Sequence, residues 1–333
     1  MLKGTRILAV ILLCALAVSP LFAGGAQQTQ SNVIGISKIV SHPALDAVEQ
    51  GIMDELAELG FSDLTFDLQN ANGDISTAAS IANKFRTDRV RLAVGIATPT
   101  AQALVNTLTD IPVIYAAITD PVAAGLVDSY DRGGPNVTGV SDMTQVRAQI
   151  EMLARLTNLR RLGHVYASGE ANAVTLANMA REAARDLGIE FVEATVTNSA
   201  EVRQATQSII GRVDGLYVST DNTVVSALSA LVDVATAAGI PVMSADPSSA
   251  EDHGVLVAWG FDYYKMGRAA GRIIARVLEG TPTSEIPTLF MTDPSDIDLL
   301  INLDVARQLG ITFPQDVRDG ASKIVENGVM RRR

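Results

Sequence analysis

The chain is poor in the residues that build metal sites and in the positive charge that binds nucleic acid. It has one cysteine, Cys14, and its three histidines, His42, His164 and His253, lie far apart in the sequence. Zinc and iron–sulfur sites need clusters of such residues, so we expect no metal and no cofactor. Acidic residues outnumber basic residues by 37 to 26, which argues against nucleic acid as a partner.

The sequence also lacks the motifs of the common enzyme classes that are built on α/β sheets. It has no G-x-S-x-G elbow, no P-loop, and no G-x-G-x-x-G after the first predicted strand. Its acidic residues are spread over several loops, without an obvious pair of nucleophile and base. We therefore expect a protein that binds a ligand without transforming it, and not an enzyme.

The first 23 residues are typical of a secretory signal peptide. Two basic residues precede an apolar run from Ile7 to Val18, and Ala23 offers a small residue for cleavage. The run is shorter than the ~20 apolar residues that a membrane span needs, although a retained N-terminal anchor is the alternative. Cys14 lies inside the run and not after its end, so we expect no lipid anchor. These features predict export to the periplasm, with residues 24–32 as a flexible tether.

Apolar runs alternate with helical patterns along the rest of the chain, in two successive series. The predicted strands are residues 33–40, 64–68, 92–97, 112–118 and 137–140, then 162–167, 191–196, 215–220, 241–245 and 255–259. Alternating strands and helices indicate parallel sheets with right-handed crossovers. Because there are two series, and the chain is long for a single core, we predict two doubly wound α/β lobes.

Polar loops follow several strands of the first series, at the sheet edge where open α/β sheets bind ligands. The candidate ligand contacts there are Ser41, His42, Thr98, Thr100, Ala101, Thr119 and Asp120. We predict that Thr98 caps a helix, which leaves the amides of Thr100 and Ala101 free to bind a carboxylate. Asp120 precedes a proline in the same way. Helix capping without a ligand is the alternative for both loops, and a structural role is the alternative for His42.

Acidic and amide side chains follow the strands of the second series. The candidate contacts are Glu170, Asn172, Asp221, Asn222 and Asp246. A buried ammonium group needs a carboxylate partner, since an unpaired buried charge is costly. We predict that Asp221 is this partner. If its side chain is solvated in the open cleft, its replacement should hardly alter the stability of the empty protein. Asp246 and Glu170 are the other candidates, and capping or a solvated loop position is the alternative interpretation.

Aromatic residues make up only 5% of the chain, so a pocket for an aromatic ligand would have few rings available. The rings that fall near the predicted loops or crossings are Tyr115, Tyr166, Trp259, Phe261 and Tyr263. Tyr115 and Tyr166 lie inside predicted strands, where packing in the core is the expected role.

Several segments resemble, in order, the blocks of one protein family: IGISKIVSHPALDAVEQGIMDELAELGF, ATPTAQA, ITDPVAAGLV, YVSTDNTVVSAL, WGFDYYKMGRAAGRI and INLDVARQLGI. Over residues 33–311 the chain is similar to the substrate-binding proteins of bacterial ABC importers, in the subgroup associated with tryptophan and other aromatic amino acids. The resemblance implies a type I periplasmic-binding-protein fold, with crossings near residues 140–142, 259–262 and 291–293. Trp259 departs from the smaller or tyrosine-like residue that is usual there.

The resemblance also implies a division of the chain and a function. The N-terminal lobe would comprise residues 33–140 and 260–291, and the C-terminal lobe residues 141–259 and 292–320, with a tail at 321–333. The implied function is capture of a small ligand, foremost an aromatic amino acid such as tryptophan or phenylalanine. A monomer would deliver it to an ABC permease in the inner membrane. A sensing protein that docks on a membrane receptor is an alternative, as is a binder of a nucleoside or other small solute.

Overall fold

The computed structural model describes residues 31–333. The predicted signal peptide at residues 1–23 and most of the predicted tether lie outside the described residues. Within residues 31–333, no helix is both long enough and apolar enough to cross a membrane.

Strands and helices alternate along the described chain. The strands are β1 (Val33–Lys38), β2 (Thr65–Asn70), β3 (Leu92–Ile96), β4 (Val113–Ile118), β5 (Val137–Ser141), β6 (Arg161–Ala167), β7 (Glu190–Val196), β8 (Gly215–Val218), β9 (Val242–Ser244), β10 (Val257–Phe261), β11 (Leu289–Phe290), β12 (Ile297–Asn302), β13 (Lys323–Glu326) and β14 (Val329–Arg332). The helices are α1 (Pro43–Glu58), α2 (Ile75–Asp88), α3 (Thr98–Thr107), α4 (Val146–Leu156), α5 (Ala171–Asp186), α6 (Val202–Ile209), α7 (Asn222–Val225), α8 (Leu228–Ala238), α9 (Pro247–Ala250), α10 (Tyr263–Leu278), α11 (Leu303–Leu309) and α12 (Gln315–Gly320).

The first lobe is built on a six-stranded parallel sheet with the order β11-β5-β4-β3-β1-β2. Strands β3 and β4 are buried along their whole length, which explains their uninterrupted apolar sequences. Helix α10 packs closely along α1 because glycines face the opposite backbone. A Cβ atom on Gly267 would lie 2.2 Å from the carbonyl oxygen of Val48. This packing fixes the first residue of α10, Tyr263, at the edge of the lobe.

The second lobe is built on an eight-stranded sheet with the order β14-β13-β12-β10-β9-β8-β6-β7. Strands β6 to β10 run parallel, and β12 is antiparallel to β10. Apolar side chains of its strands and helices form two buried clusters, which include Leu153 and Leu176 in one and Val218 and Leu231 in the other.

Three segments connect the lobes. Residues 142–145 join β5 to α4, Asp262 joins β10 to α10, and residues 291–296 join β11 to β12. Each of the ten predicted strands is present with its ends within two residues of the prediction. The structure thus confirms the predicted fold of two doubly wound lobes with three crossovers.

Residues 323–332, which are part of the predicted tail at 321–333, belong to the second sheet. Strand β13 pairs with β12, and β13 and β14 form an antiparallel hairpin. The hairpin turn is Asn327–Gly328, and both residues have positive φ angles, of 54° and 70°. An Asn-Gly pair favours this turn because both residues tolerate that conformation. The Asn-Gly pair is thus a sequence signal for this hairpin that was not used in the prediction.

Candidate ligand-binding site

A small cavity lies between the two lobes, at the carboxyl ends of strands from both sheets. Its lining residues are His42, Leu45, Ala117, Thr119 and Tyr263 from the first lobe, Asp142 from the first crossing, and Asn172, Thr220, Asp221, Asn222, Val225 and Asp246 from the second lobe. We call it the interlobe cavity. Its volume is ≈ 10 Å³, about the room that one water molecule needs. A larger ligand therefore enters only when the lobes separate.

His42 contacts the opposite lobe. Its Nδ1 atom lies 3.3 Å from the hydroxyl oxygen of Ser249, which belongs to α9 of the second lobe. The His42 side chain is only 9% exposed, and burial lowers its pKa, against the opposing effect of the Asp246 charge. A neutral imidazole keeps one donor and one acceptor nitrogen. The contact shows that the lobes are closed over the cavity.

Asp246 has one carboxylate oxygen without a partner. Its Oδ1 accepts hydrogen bonds from the amides of Ser248 and Ser249, at 2.9 and 3.1 Å, and so caps α9. Its Oδ2 is buried and has no hydrogen-bond partner among residues 31–333. The residue is 1% exposed. Because a buried acceptor without a donor is costly, this oxygen is a natural contact for a ligand that carries a donor group.

Asp221, by contrast, has both of its oxygens engaged with the backbone. Oδ2 accepts from the amide of Ala167 at 2.6 Å, and Oδ1 accepts from the amide of Val224 at 3.0 Å. Burial, together with the neighbouring charge of Glu170, raises the pKa of Asp221 to about 8. The residue is completely buried in this closed arrangement. Its carboxyl group ties the end of β6 to the start of α7.

Glu170 also acts inside the second lobe. Its Oε2 accepts from the side-chain amide of Asn222 at 2.5 Å, and its Oε1 accepts from the amide and hydroxyl of Thr223 at 3.1 and 2.6 Å. Glu170 is thus buried and bonded, not a solvated loop residue, and it holds Asn222 in the cavity wall. Asn172 donates to the carbonyl oxygen of Thr220 at 3.3 Å. The Oδ1 atom of Asn172 and the hydroxyl of Thr220 have no partner in the described chain.

Asp142 and Tyr263 line the cavity but were not among the predicted contacts, although Tyr263 was one of the aromatic candidates. Asp142 Oδ2 accepts from the Tyr263 hydroxyl at 3.0 Å, and Oδ1 accepts from the Thr119 hydroxyl at 3.3 Å. Burial raises the pKa of Asp142 to about 6. The signal that could have revealed Asp142 is its position at the first predicted crossing, where both lobes meet.

Two alanines at the ends of central strands have left-handed backbone conformations. Ala97, which follows β3, has φ 77°, and Ala117 in β4 has φ 56°. Such conformations cost about 1–3 kcal/mol and are found where the surrounding structure enforces them, often beside ligands. The pairing of β4 with β5 shifts register between Tyr115 and Ile118, and this irregularity places Ala117 in the cavity wall.

Six predicted contacts lie outside the residues that line the interlobe cavity: Ser41, Thr98, Thr100, Ala101, Asp120 and Glu170. The exposed Ser41 hydroxyl donates to Asp46, and Asp120 caps its own turn by accepting from two backbone amides. The N-cap of α3 is Ala97, not Thr98. The Ala101 amide donates to the Ala97 carbonyl at 3.2 Å, and the Thr100 hydroxyl donates to the Ile96 carbonyl at 2.7 Å. The Ala101 amide is therefore not free to bind a carboxylate in this closed arrangement.

A second cavity of ≈ 260 Å³ lies on the crossing segments. Trp259 and Phe261 line it together with Met143, Phe290 and Met291. None of the unpartnered buried polar atoms of residues 31–333 belongs to its lining residues. The larger cavity is thus lined by large apolar side chains and, in the described chain, has no unpartnered buried polar atom, whereas the interlobe cavity contains polar atoms without a hydrogen-bond partner.

Known proteins resemble this chain over most of its length. The family described as "ABC transporter substrate binding protein" matches residues 33–325. This chain belongs to that family. It is 36% identical over 327 residues to a tyrosine-binding protein of Clostridioides difficile (strain R20291), and the match covers 93% of each chain. The predicted family resemblance is confirmed.

Solved structures of relatives share the fold. A conserved domain protein of Vibrio cholerae is 39% identical, with a TM-score of 0.85, over 89% of this chain and 100% of that one. A domain from Streptococcus pneumonia in complex with L-Trp is 33% identical, with a TM-score of 0.84 and the same coverage. The ligand-free, open form of a Clostridium difficile substrate-binding protein is 36% identical over 88% of this chain and 99% of that one, yet its TM-score is 0.65. The lobes of this chain are therefore arranged more as in the L-Trp complex.

Proposed function

We propose that this substrate-binding protein captures an aromatic amino acid between its lobes and delivers it to an ABC permease. The observation that carries the proposal is the unpartnered Oδ2 atom of Asp246, a buried carboxylate oxygen in a cavity closed by both lobes. Relatives named for tyrosine binding and for a complex with L-Trp support an aromatic amino acid as the ligand.

The polar atoms of the interlobe cavity suggest how such a ligand would lie. The ammonium group would donate to Asp246 Oδ2 and to Asn172 Oδ1, which are both acceptors without a donor. The carboxylate would accept from His42 and from the Thr220 hydroxyl. Leu45 and Val225 supply apolar surface for the ring. Asp246 thus replaces Asp221 as the preferred partner of the ammonium group, since Asp221 is already bonded twice.

Closure of the lobes would follow from ligand binding. His42 belongs to the first lobe and Asp246 to the second, so only a closed form satisfies both ends of one amino acid. A ligand shifts such an equilibrium by its differential affinity for the two states. Because the interlobe cavity has a volume of ≈ 10 Å³, we expect the liganded form to be slightly less tightly closed than the form described here.

The setting of this activity is also part of the proposal. Residues 1–23 have the pattern of a secretory signal peptide, and family membership favours an extracytoplasmic protein that serves an importer. We propose a monomer in the periplasm without a lipid anchor. Genes for a permease and an ATPase beside this one would support transport, whereas a receptor gene alone would favour the sensing alternative.

A thermal-shift screen of the purified chain tests the ligand class. The set should contain tyrosine, tryptophan, phenylalanine, non-aromatic amino acids and nucleosides. A ligand at a hundred times its Kd should stabilise the protein by about 2.7 kcal/mol, which gives a visible shift. We expect shifts with the aromatic amino acids and none with nucleosides. A shift with nucleosides alone would contradict the proposal. So would the absence of a shift with every amino acid.

A further inference from the structure

Carboxyl groups dominate the interlobe cavity. Asp142, Asp221 and Asp246 line it, and Glu170 bonds to the cavity residue Asn222. All four acidic residues are at most 6% exposed. No lysine or arginine is among the lining residues that the structure describes. The cavity therefore offers a ligand carboxylate no permanent cation, whereas the unpartnered Asp246 Oδ2 offers a ligand ammonium group an acceptor.

The unpartnered atoms of the cavity likewise include a carboxylate oxygen but, within residues 31–333, no positively charged donor. Asp246 Oδ2 and Asn172 Oδ1 can only accept hydrogen bonds. The groups able to donate are His42 Nε2 and the Thr220 hydroxyl, and burial lowers the pKa of His42, which favours its neutral form. Hydrogen bonds in which one partner is charged are roughly twice as strong as neutral ones, and a carboxylate-to-ammonium contact has both partners charged.

Helix α3 does not supply this missing donor. Its start is absent from the cavity lining, and the Ala101 amide already donates to the Ala97 carbonyl. In the closed form the start of α3 thus lies outside the cavity lining, and its Ala101 amide is not free for a ligand.

We propose that this site selects its ligand by the amine and not by the carboxylate, so that it also binds aromatic monoamines such as tyramine and tryptamine. The inference rests on the proposed aromatic amino-acid function and widens the substrate class of the same site. A monoamine keeps the contacts with Asp246 and Asn172 and loses only those with His42 and Thr220.

Calorimetric titration with three related ligands tests the proposal: L-tyrosine, tyramine, and 3-(4-hydroxyphenyl)propionate. Should tryptophan bind better than tyrosine, tryptamine and indole-3-propionate take the corresponding places. We expect the amine to bind roughly 5- to 150-fold more weakly than the amino acid, because two hydrogen bonds are lost, and the acid without an amine to bind at least roughly 150-fold more weakly. An acid that binds as well as the amino acid, or an amine that does not bind, would overturn the inference.

A matched variant separates the two ends of the ligand. Thr220→Val removes a hydroxyl assigned to the carboxylate, so it should weaken L-tyrosine while leaving the affinity for tyramine unchanged. Equal losses for both ligands would contradict the assignment. If the amino acids bind and the amines do not, only this inference fails. If no aromatic amino acid binds, the proposed function fails with it.

Discussion

Replacing Asp246 by asparagine removes the charge at the proposed ammonium site and leaves its surroundings intact. The asparagine Oδ1 can still accept from the amides of Ser248 and Ser249, so α9 keeps its cap. The change falls on Oδ2, which becomes an amide group facing the ligand's ammonium. Breaking a buried ion pair by removing one partner costs about 3–5 kcal/mol. Binding of an aromatic amino acid should therefore weaken by roughly 150- to 4,000-fold.

Calorimetric titration of the parent and the variant measures this loss. Asp74→Asn is the matched control, because Asp74 caps α2 by accepting from the Thr77 amide at 2.7 Å and lies outside the interlobe cavity. The control should bind like the parent, and thermal unfolding without ligand checks that both variants are folded. Unchanged affinity in Asp246→Asn would refute the reasoning. A loss in Asp221→Asn or Glu170→Gln instead would move the ammonium site to that residue.

Four further outcomes are expected. Asp221→Asn should destabilise the ligand-free protein by about 1–3 kcal/mol in urea denaturation, because the buried Ala167 amide loses its acceptor; unchanged stability would contradict this role. Burial raises the pKa of Asp142 from 3.8 to about 6. Between these two pH values the folded chain holds a proton that the unfolded chain releases. The contribution of Asp142 to stability therefore falls as pH rises through this range. Asp142→Asn should flatten this part of the pH profile, and an unaltered profile would count against it. Mass spectrometry of the exported protein should show cleavage close to Ala23, whereas a retained Met1 would not fit a signal peptide. Solution scattering should show that an aromatic amino acid lowers the radius of gyration from that of the open, ligand-free form, and an unchanged radius would speak against closure.

The fold could be predicted because buried parallel strands leave a plain trace in the sequence. Strands β3 and β4 are continuous apolar runs, and glycines end several of the helices between strands. The sequence pattern indicates the hairpin of β13 and β14 less clearly. Its strands are mostly half-buried or exposed, and β13 begins with Lys323, which is buried only because Glu251 and Asp298 pair with it, each at 2.7 Å.

The sequence could predict which loops meet at the site but not which atoms face the ligand. Asp221 and Asp246 both follow strands and both cap short helices. They differ because the Ala167 amide, far away in the sequence, satisfies the second oxygen of Asp221. Likewise, the bonding of α3 depends on the left-handed conformation of Ala97, which an alanine rarely adopts and which no sequence pattern indicates.

A crystal structure of the chain with a bound aromatic amino acid would show directly which groups hold the ligand. We expect the ligand in the interlobe cavity, with its amine nitrogen about 2.7–3.2 Å from Asp246 Oδ2. Its carboxylate should lie toward His42 of the other lobe. A ligand bound instead in the cavity beside Trp259, or one whose amine points away from Asp246, would contradict the account.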